Sequence, residues 1–173
     1  MSGAPFLCPH HEEGTRMERT ISVVTEKGRG VFSRISGLME RRGFAVQGVT
    51  AGSTHRPEHA RYTFVISGDD RTAGQAVRQL RKMVETVSAE DLGESGYVER
   101  CMMLLKFCPP PGERTALFEA MKSFGCLVAD DRGDSVIFEA MGTAAHLDAC
   151  LDGVKSYGLV EAVKSGPLAL GTR

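Results

Sequence analysis

Tryptophan and asparagine are both absent from this chain of 173 residues, and aromatic residues make up only 6% of it. No apolar run approaches the roughly 18 to 20 residues of a membrane span. The N-terminus lacks the charged-then-apolar order of a secretory signal, so a cytoplasmic location and no membrane contact are expected. Neither sign of charge dominates: 21 Lys+Arg face 22 Asp+Glu for a net charge of -1. The basic residues form no run able to neutralise several phosphates, so nucleic acid is not an expected partner. The five cysteines (Cys8, Cys101, Cys108, Cys126, Cys150) are odd in number and contain no C-x-x-C pair, which suggests neither a disulfide framework nor a zinc site. Reduced and mostly buried thiols are expected. Histidines at 10, 11, 55, 59 and 146 have no spacing that sets one beside a Cys or Ser as nucleophile and base. No catalytic constellation is visible.

What is present is a hydrophobic content of 42%, enough to build a core. Residues 1–17 mix Pro, Gly and polar types without a period and read as a flexible tail. Its Cys8, His10, His11 and Glu12 are metal-ligand types, but a disordered tail must also overcome its ordering entropy to hold an ion. From Thr20 onward the pattern is regular. Ile21 and Val23 alternate with Thr20 and Ser22 as a strand, and Glu26-Lys27-Gly28-Arg29-Gly30 ends it. Val31, Ile35, Leu38 and Met39 form a helical stripe closed by Gly43. Phe44, Val46 and Val49 begin a second strand, residues 52–58 a loop, and Tyr62 to Ile66 a third strand. Ala73, Val77, Leu80 and Val84 predict a second helix, and Val87 to Leu92 a short strand.

The second half repeats this order. Cys101 to Phe107 reads as a buried strand, and Leu117, Phe118, Met121 and Phe124 as a helix. Cys126–Ala129 and Val136–Phe138 flank a turn at Asp130–Asp134, and Leu147, Cys150, Leu151 and Val154 form a last helix before a closing strand at Leu159–Val163. The predicted fold class is α+β, two ferredoxin-like βαββαβ units over 18–93 and 94–173. Units so small leave an edge or face needing a partner, so a homo-oligomer is expected.

The loop containing Gly28 and Gly30 precedes a helix N-terminus, where free N–H groups favour a carboxylate or phosphate. It is neither G-x-G-x-x-G, because Ser33 takes the third glycine position, nor a Walker loop. Gly93-Glu94-Ser95-Gly96 is not a nucleophile elbow, and Asp130, Asp131 and Asp134 lack EF-hand spacing. Both read as connectors.

The run Ile21-Ser22-Val23-Val24 with Glu26, Gly30, Ser33-Arg34, Gly37-Leu38 and Arg42-Gly43, followed by Arg61, Thr63 and Gly68-Asp69, resembles the N-terminal ACT domain of the acetolactate synthase small-subunit family. Val98-Glu99-Arg100, Met103-Leu104, Lys106 and the ending Val160 to Gly166 with Leu170 are similar to that family's C-terminal domain. The resemblance implies an ACT domain followed by an ACT-like domain. It also implies a non-catalytic regulatory subunit that binds and activates a large subunit carrying thiamine diphosphate, magnesium and FAD, pairs with itself through the ACT domain, and transmits valine feedback. This chain would hold no cofactor and no metal of its own.

In that family two asparagines hold the effector amino acid, and the matching positions here are Lys27 and Ala45. Each lost charge-assisted hydrogen bond is worth roughly 1.5–3 kcal/mol, so a weakened valine response is expected. By position, Arg29, Gly30 and Val31 would offer backbone donors and Val46 an apolar wall. Gly30→Val is expected to abolish an effector response with folding nearly unchanged. The competing reading is a stand-alone ACT sensor of another amino acid or small anion that regulates a different target.

Overall fold

The computed structural model describes residues 17–94 and 96–172. In the first half β1 (Glu18–Glu26), α1 (Val31–Arg41), β2 (Ala45–Ser53), β3 (His59–Ser67), α2 (Asp70–Leu80) and β4 (Thr86–Asp91) follow one another. The strands form an antiparallel sheet in the order β2-β3-β1-β4. Ile21 and Val23 on β1 and Phe64 and Ile66 on β3 are buried against Val31, Ile35 and Met39 of α1 and Ala73, Ala76, Val77 and Leu80 of α2. The 2-residue and 3.6-residue periods thus meet in one core. Asp69 caps α2 by accepting from the Thr72 N–H at 2.9 Å. The buried Asp91 carboxylate accepts from Arg19 at 2.6 Å and from the Gly93 N–H at 3.0 Å.

The other face of this sheet is polar and yet covered. Thr20, Ser22 and Thr63 are buried, and the Thr20 hydroxyl meets that of Tyr97 at 3.2 Å. Tyr97 opens the second half, whose elements are β5 (Tyr97–Phe107), α3 (Arg114–Ser123), β6 (Leu127–Asp131), β7 (Val136–Gly142), α4 (Ala144–Val154), β8 (Leu159–Lys164) and β9 (Leu168–Gly171). The sheet order is β6-β7-β5-β8, with β9 also paired to β5. Met103, Leu105, Phe107 and Phe138 pack against Leu117 and Met121 of α3 and Leu147, Cys150 and Val154 of α4. Both halves thus have ferredoxin-like βαββαβ architecture.

Several expectations change. The second unit carries an extra strand, β9, which extends the pairing along β5 after Ser165–Pro167: Met103 pairs with Lys164 and Arg100 with Leu168. It is only four residues long and follows a proline, so its two leucines form no readable period. β5 starts at Tyr97 rather than Cys101 because its first four residues have β9 as their partner. Asp130 and Asp131 belong to β6; the turn is tighter, closed by Arg132 N–H donating to the Ser135 carbonyl at 2.9 Å. Asp131 accepts from Arg114 at 2.5 and 2.6 Å. Val84 is 96% exposed, because α2 stops at Leu80 and turns bonded from Lys82 and Met83 follow. β2 runs on through Ser53, held by β3 across from Ala60. Met17 is fastened by its carbonyl, which accepts from the Gly68 N–H at 2.9 Å, because β1 and β3 end side by side; the rest of the predicted tail, with Cys8, His10, His11 and Glu12, lies outside the described residues. Of the described thiols Cys101 and Cys150 are buried, Cys126 is half-buried and Cys108 is exposed.

Candidate functional site

The loop after β1 is held from two sides. Glu26 N–H donates to the Glu85 carbonyl at 2.9 Å and Lys27 N–H to the Glu58 carbonyl at 2.7 Å, while the side chains of Lys27 and Arg29 are exposed. Gly30 is the N-cap of α1 with φ 74°, a left-handed conformation that a β-branched residue adopts only under strain. The expectation for Gly30→Val is corrected accordingly: the substitution costs folding stability of about 1–2 kcal/mol. No side chain caps this helix and its first turn contains no acid, so its amide end is electropositive. Val31 N–H points at the Gly28 carbonyl at 3.5 Å, and the Val31 side chain is in the core.

Arg34, quoted above only for the family resemblance, is a further neighbour of this loop. Its guanidinium donates to the Arg29 carbonyl at 3.3 Å and pairs with Glu85 at 2.5 Å. The Glu85 carboxyl is held below its ordinary value, first by a hydrogen bond from its own backbone N–H and then by Arg34. The signal was its place one turn into the helix, where a long side chain reaches back toward the N-terminus.

Ala45 and Val46 sit elsewhere. They pair with Ser67 and Ile66 at one end of β3, whereas Glu26, the residue before Lys27, pairs with His59 at the other. Eight residues of strand separate the two ends, roughly 26 Å at about 3.3 Å per residue. Within one chain the six candidate residues therefore form two groups. Lys27, Arg29, Gly30 and Val31 make a loop, and Ala45 and Val46 open an edge strand. Val46 lines a depression of about 280 Å³ between α1 and β2 together with Ser36, Glu40 and Phe44.

β2 is an edge of its sheet, with Val46 and Val49 exposed. Two such edges meeting antiparallel would set the Ala45 end of one copy beside the Ser53 end of the other, which is the end carrying the 27–30 loop. No group of three or more potential metal ligands occurs among the described residues, and none of their helices is long and apolar enough to cross a membrane.

Comparison with known proteins assigns both halves. Residues 21–88 match the family model described as the AHAS small subunit-like ACT domain, and residues 100–173 the model of the small subunit of acetolactate synthase. A probable acetolactate synthase small subunit of Archaeoglobus fulgidus is 35% identical over 154 residues, covering 89% of this chain and 96% of its own. This chain belongs to the acetolactate synthase small-subunit family. The small subunit of Mycolicibacterium smegmatis is 32% identical over 87% of this chain and 89% of its own. The acetolactate synthase small subunit of Thermotoga maritima superposes with a TM-score of 0.82 at 26% identity, covering 89% of this chain and 96% of that one. Membership in the acetolactate synthase small-subunit family makes this chain a non-catalytic regulatory subunit, with an ACT domain in its first half.

Proposed function

We propose that this chain binds and activates the thiamine-diphosphate-dependent large subunit of acetolactate synthase, serving branched-chain amino-acid biosynthesis in the cytoplasm. The observation that carries this reading is the 35% identity spread over 96% of a small subunit, which takes in both units and not the widespread ACT fold alone. Thiamine diphosphate, magnesium and FAD belong to the large subunit. The regulatory chain acts by binding one conformational state of its partner better than another. Residues 18–93 serve as the sensing domain and 94–173 as its companion.

Two copies pair through their β2 edges, and this pairing completes an effector site from the 27–30 loop of one copy and the Ala45–Val46 end of the other. Such a site has lost both asparagine amides. The Lys27 ammonium repels the ammonium of an amino acid, and the Ala45 methyl donates no hydrogen bond. Valine feedback is weakened as a result, while the electropositive start of α1 keeps its preference for a carboxylate.

The test is acetolactate formation by the same organism's large subunit with and without this chain, then with valine added. The expected result is a several-fold rise in rate that millimolar valine barely lowers. A chain that neither changes the rate nor co-purifies with the large subunit would overturn the proposal.

A further inference from the structure

A groove of about 470 Å³ runs between the two units, on the face of the first sheet opposite α1 and α2. Its faces can be assigned from pairing. Arg61 donates to Ser22 at 2.7 Å, on the helix-free side, whereas Val46 is paired with the core residue Ile66 on the helical side. The groove is thus a different place from the candidate effector site. One wall comes from the first unit, with Ser53 and His55 at the end of β2 and Arg61 on β3; the other is the β5–β9 ribbon, with Arg100. Val98, Leu168 and Leu170 supply an apolar floor and are all more than half exposed.

Its charge is one-sided. Two guanidiniums line it and no carboxylate does. Arg61 gives one hydrogen bond to Ser22 and Arg100 one to the Glu99 carbonyl at 2.7 Å. Neither arginine has a carboxylate partner among the described residues. With five N–H donors each, both keep most of their donor capacity for a ligand. Arginine matches a carboxylate in a two-pronged geometry, and the three aliphatic side chains beside it suit a short branched hydrocarbon. An α-ammonium group would find no acidic acceptor here and would face two cations.

We propose that this inter-unit groove binds a small branched aliphatic carboxylate that lacks an amine between Arg61 and Arg100, and a branched 2-oxo acid is a probe of that class. A ligand seated there touches both units at once and favours the arrangement of the two that closes around it. The inference concerns the chain alone and does not depend on the large subunit or on the β2 pairing.

Calorimetric titration of the full chain with 3-methyl-2-oxobutanoate, with valine and with inorganic phosphate tests it. The expected result is one site per chain for the oxo acid, with Arg100→Gln weakening it at least about tenfold, the cost of one charge-assisted hydrogen bond. Leu170→Asp should weaken it similarly by placing a carboxylate on the floor. Both substituted side chains are exposed, and circular dichroism of each variant should match the parent. The proposal is overturned by absence of binding, by oxo-acid binding that Arg100→Gln leaves intact, or by equal affinity for valine. Equal affinity for phosphate would overturn it too, reducing the groove to a general anion patch.

Discussion

The hydroxyls of Tyr97 and Thr20 lie 3.2 Å apart, and they join the first strand of one unit to the first strand of the other. This contact explains why the face of the first sheet turned away from its helices is polar and still buried. The Thr20 hydroxyl meets its partner across the junction, while the Ser22 hydroxyl accepts from Arg61 within the sheet at 2.7 Å. Close by, a Cβ added to Gly166 would stand 2.3 Å from the Thr50 hydroxyl and 3.2 Å from the Val49 carbonyl, so the link between β8 and β9 rests directly on β2.

Gly166→Ala should therefore loosen the junction without touching either core. Forcing a methyl into that contact is expected to cost about 1–3 kcal/mol. Thermal unfolding checks this, and Thr50→Ala in the same chain should restore part of the loss, because the shorter contact is with the hydroxyl.

Tyr97→Phe keeps the ring and removes only the hydrogen bond. A loss of about 0.5–1.5 kcal/mol is expected in urea unfolding. Met103→Ala, which opens a cavity in the second core where Met103 is fully buried, should cost about 2–5 kcal/mol. Equal losses from the two substitutions would contradict the burial difference.

Asp69 gives a pH signature. Its carboxyl lies below the ordinary 3.8, chiefly through hydrogen bonds from the side chain and backbone of Thr72. A depressed carboxylate pKa contributes stability that is complete above the unfolded value and is lost as pH falls through the folded one. Asp69→Ala should therefore lower the melting temperature at neutral pH. The gap from the parent should narrow only below about pH 4, and a gap independent of pH would refute the capping role.

Thiol reactivity should follow burial. Desolvation pushes the Cys126 thiol up to about 12, and the nearby Cys150 adds to it; burial also raises Cys150 and Cys101. Since the thiolate is the nucleophile, iodoacetamide at about pH 8 should alkylate the exposed Cys108 well before these three, as read by peptide mass spectrometry. Labelling of Cys126 and Cys150 at the same rate as Cys108 in native buffer would show that α3 and α4 open readily.

The β2 edge carries the proposed pairing. Val49→Lys adds a charge to a strand edge, a substitution that disfavours edge-to-edge association. A dimeric parent and a monomeric variant of unchanged circular dichroism are expected in sedimentation equilibrium. A variant that stays dimeric would place the pairing elsewhere.

The sequence by itself determined the elements whose periods are long and whose ends carry turn chemistry. Ile21 and Val23 alternate, Val31, Ile35 and Met39 recur at helical spacing, and Gly30 and Gly43 mark the boundaries, so both βαββαβ units were legible from local patterns. The absence of asparagine was equally plain, and the resemblance to the small-subunit family tied it to Lys27 and Ala45, the positions that match its two effector-holding asparagines. Only the tertiary structure decided what these local patterns could not hold. Strand β9 exists because Leu168 to Gly171 finds β5 some 70 residues earlier, and a four-residue strand has no signal without its partner. Lys27 and Ala45, both on the first unit, stand at opposite ends of β3, because a strand separates its ends by its full length. The groove between Arg61 and Arg100 is set by how two units pack, a relation between distant segments that hydrophobic periodicity does not encode.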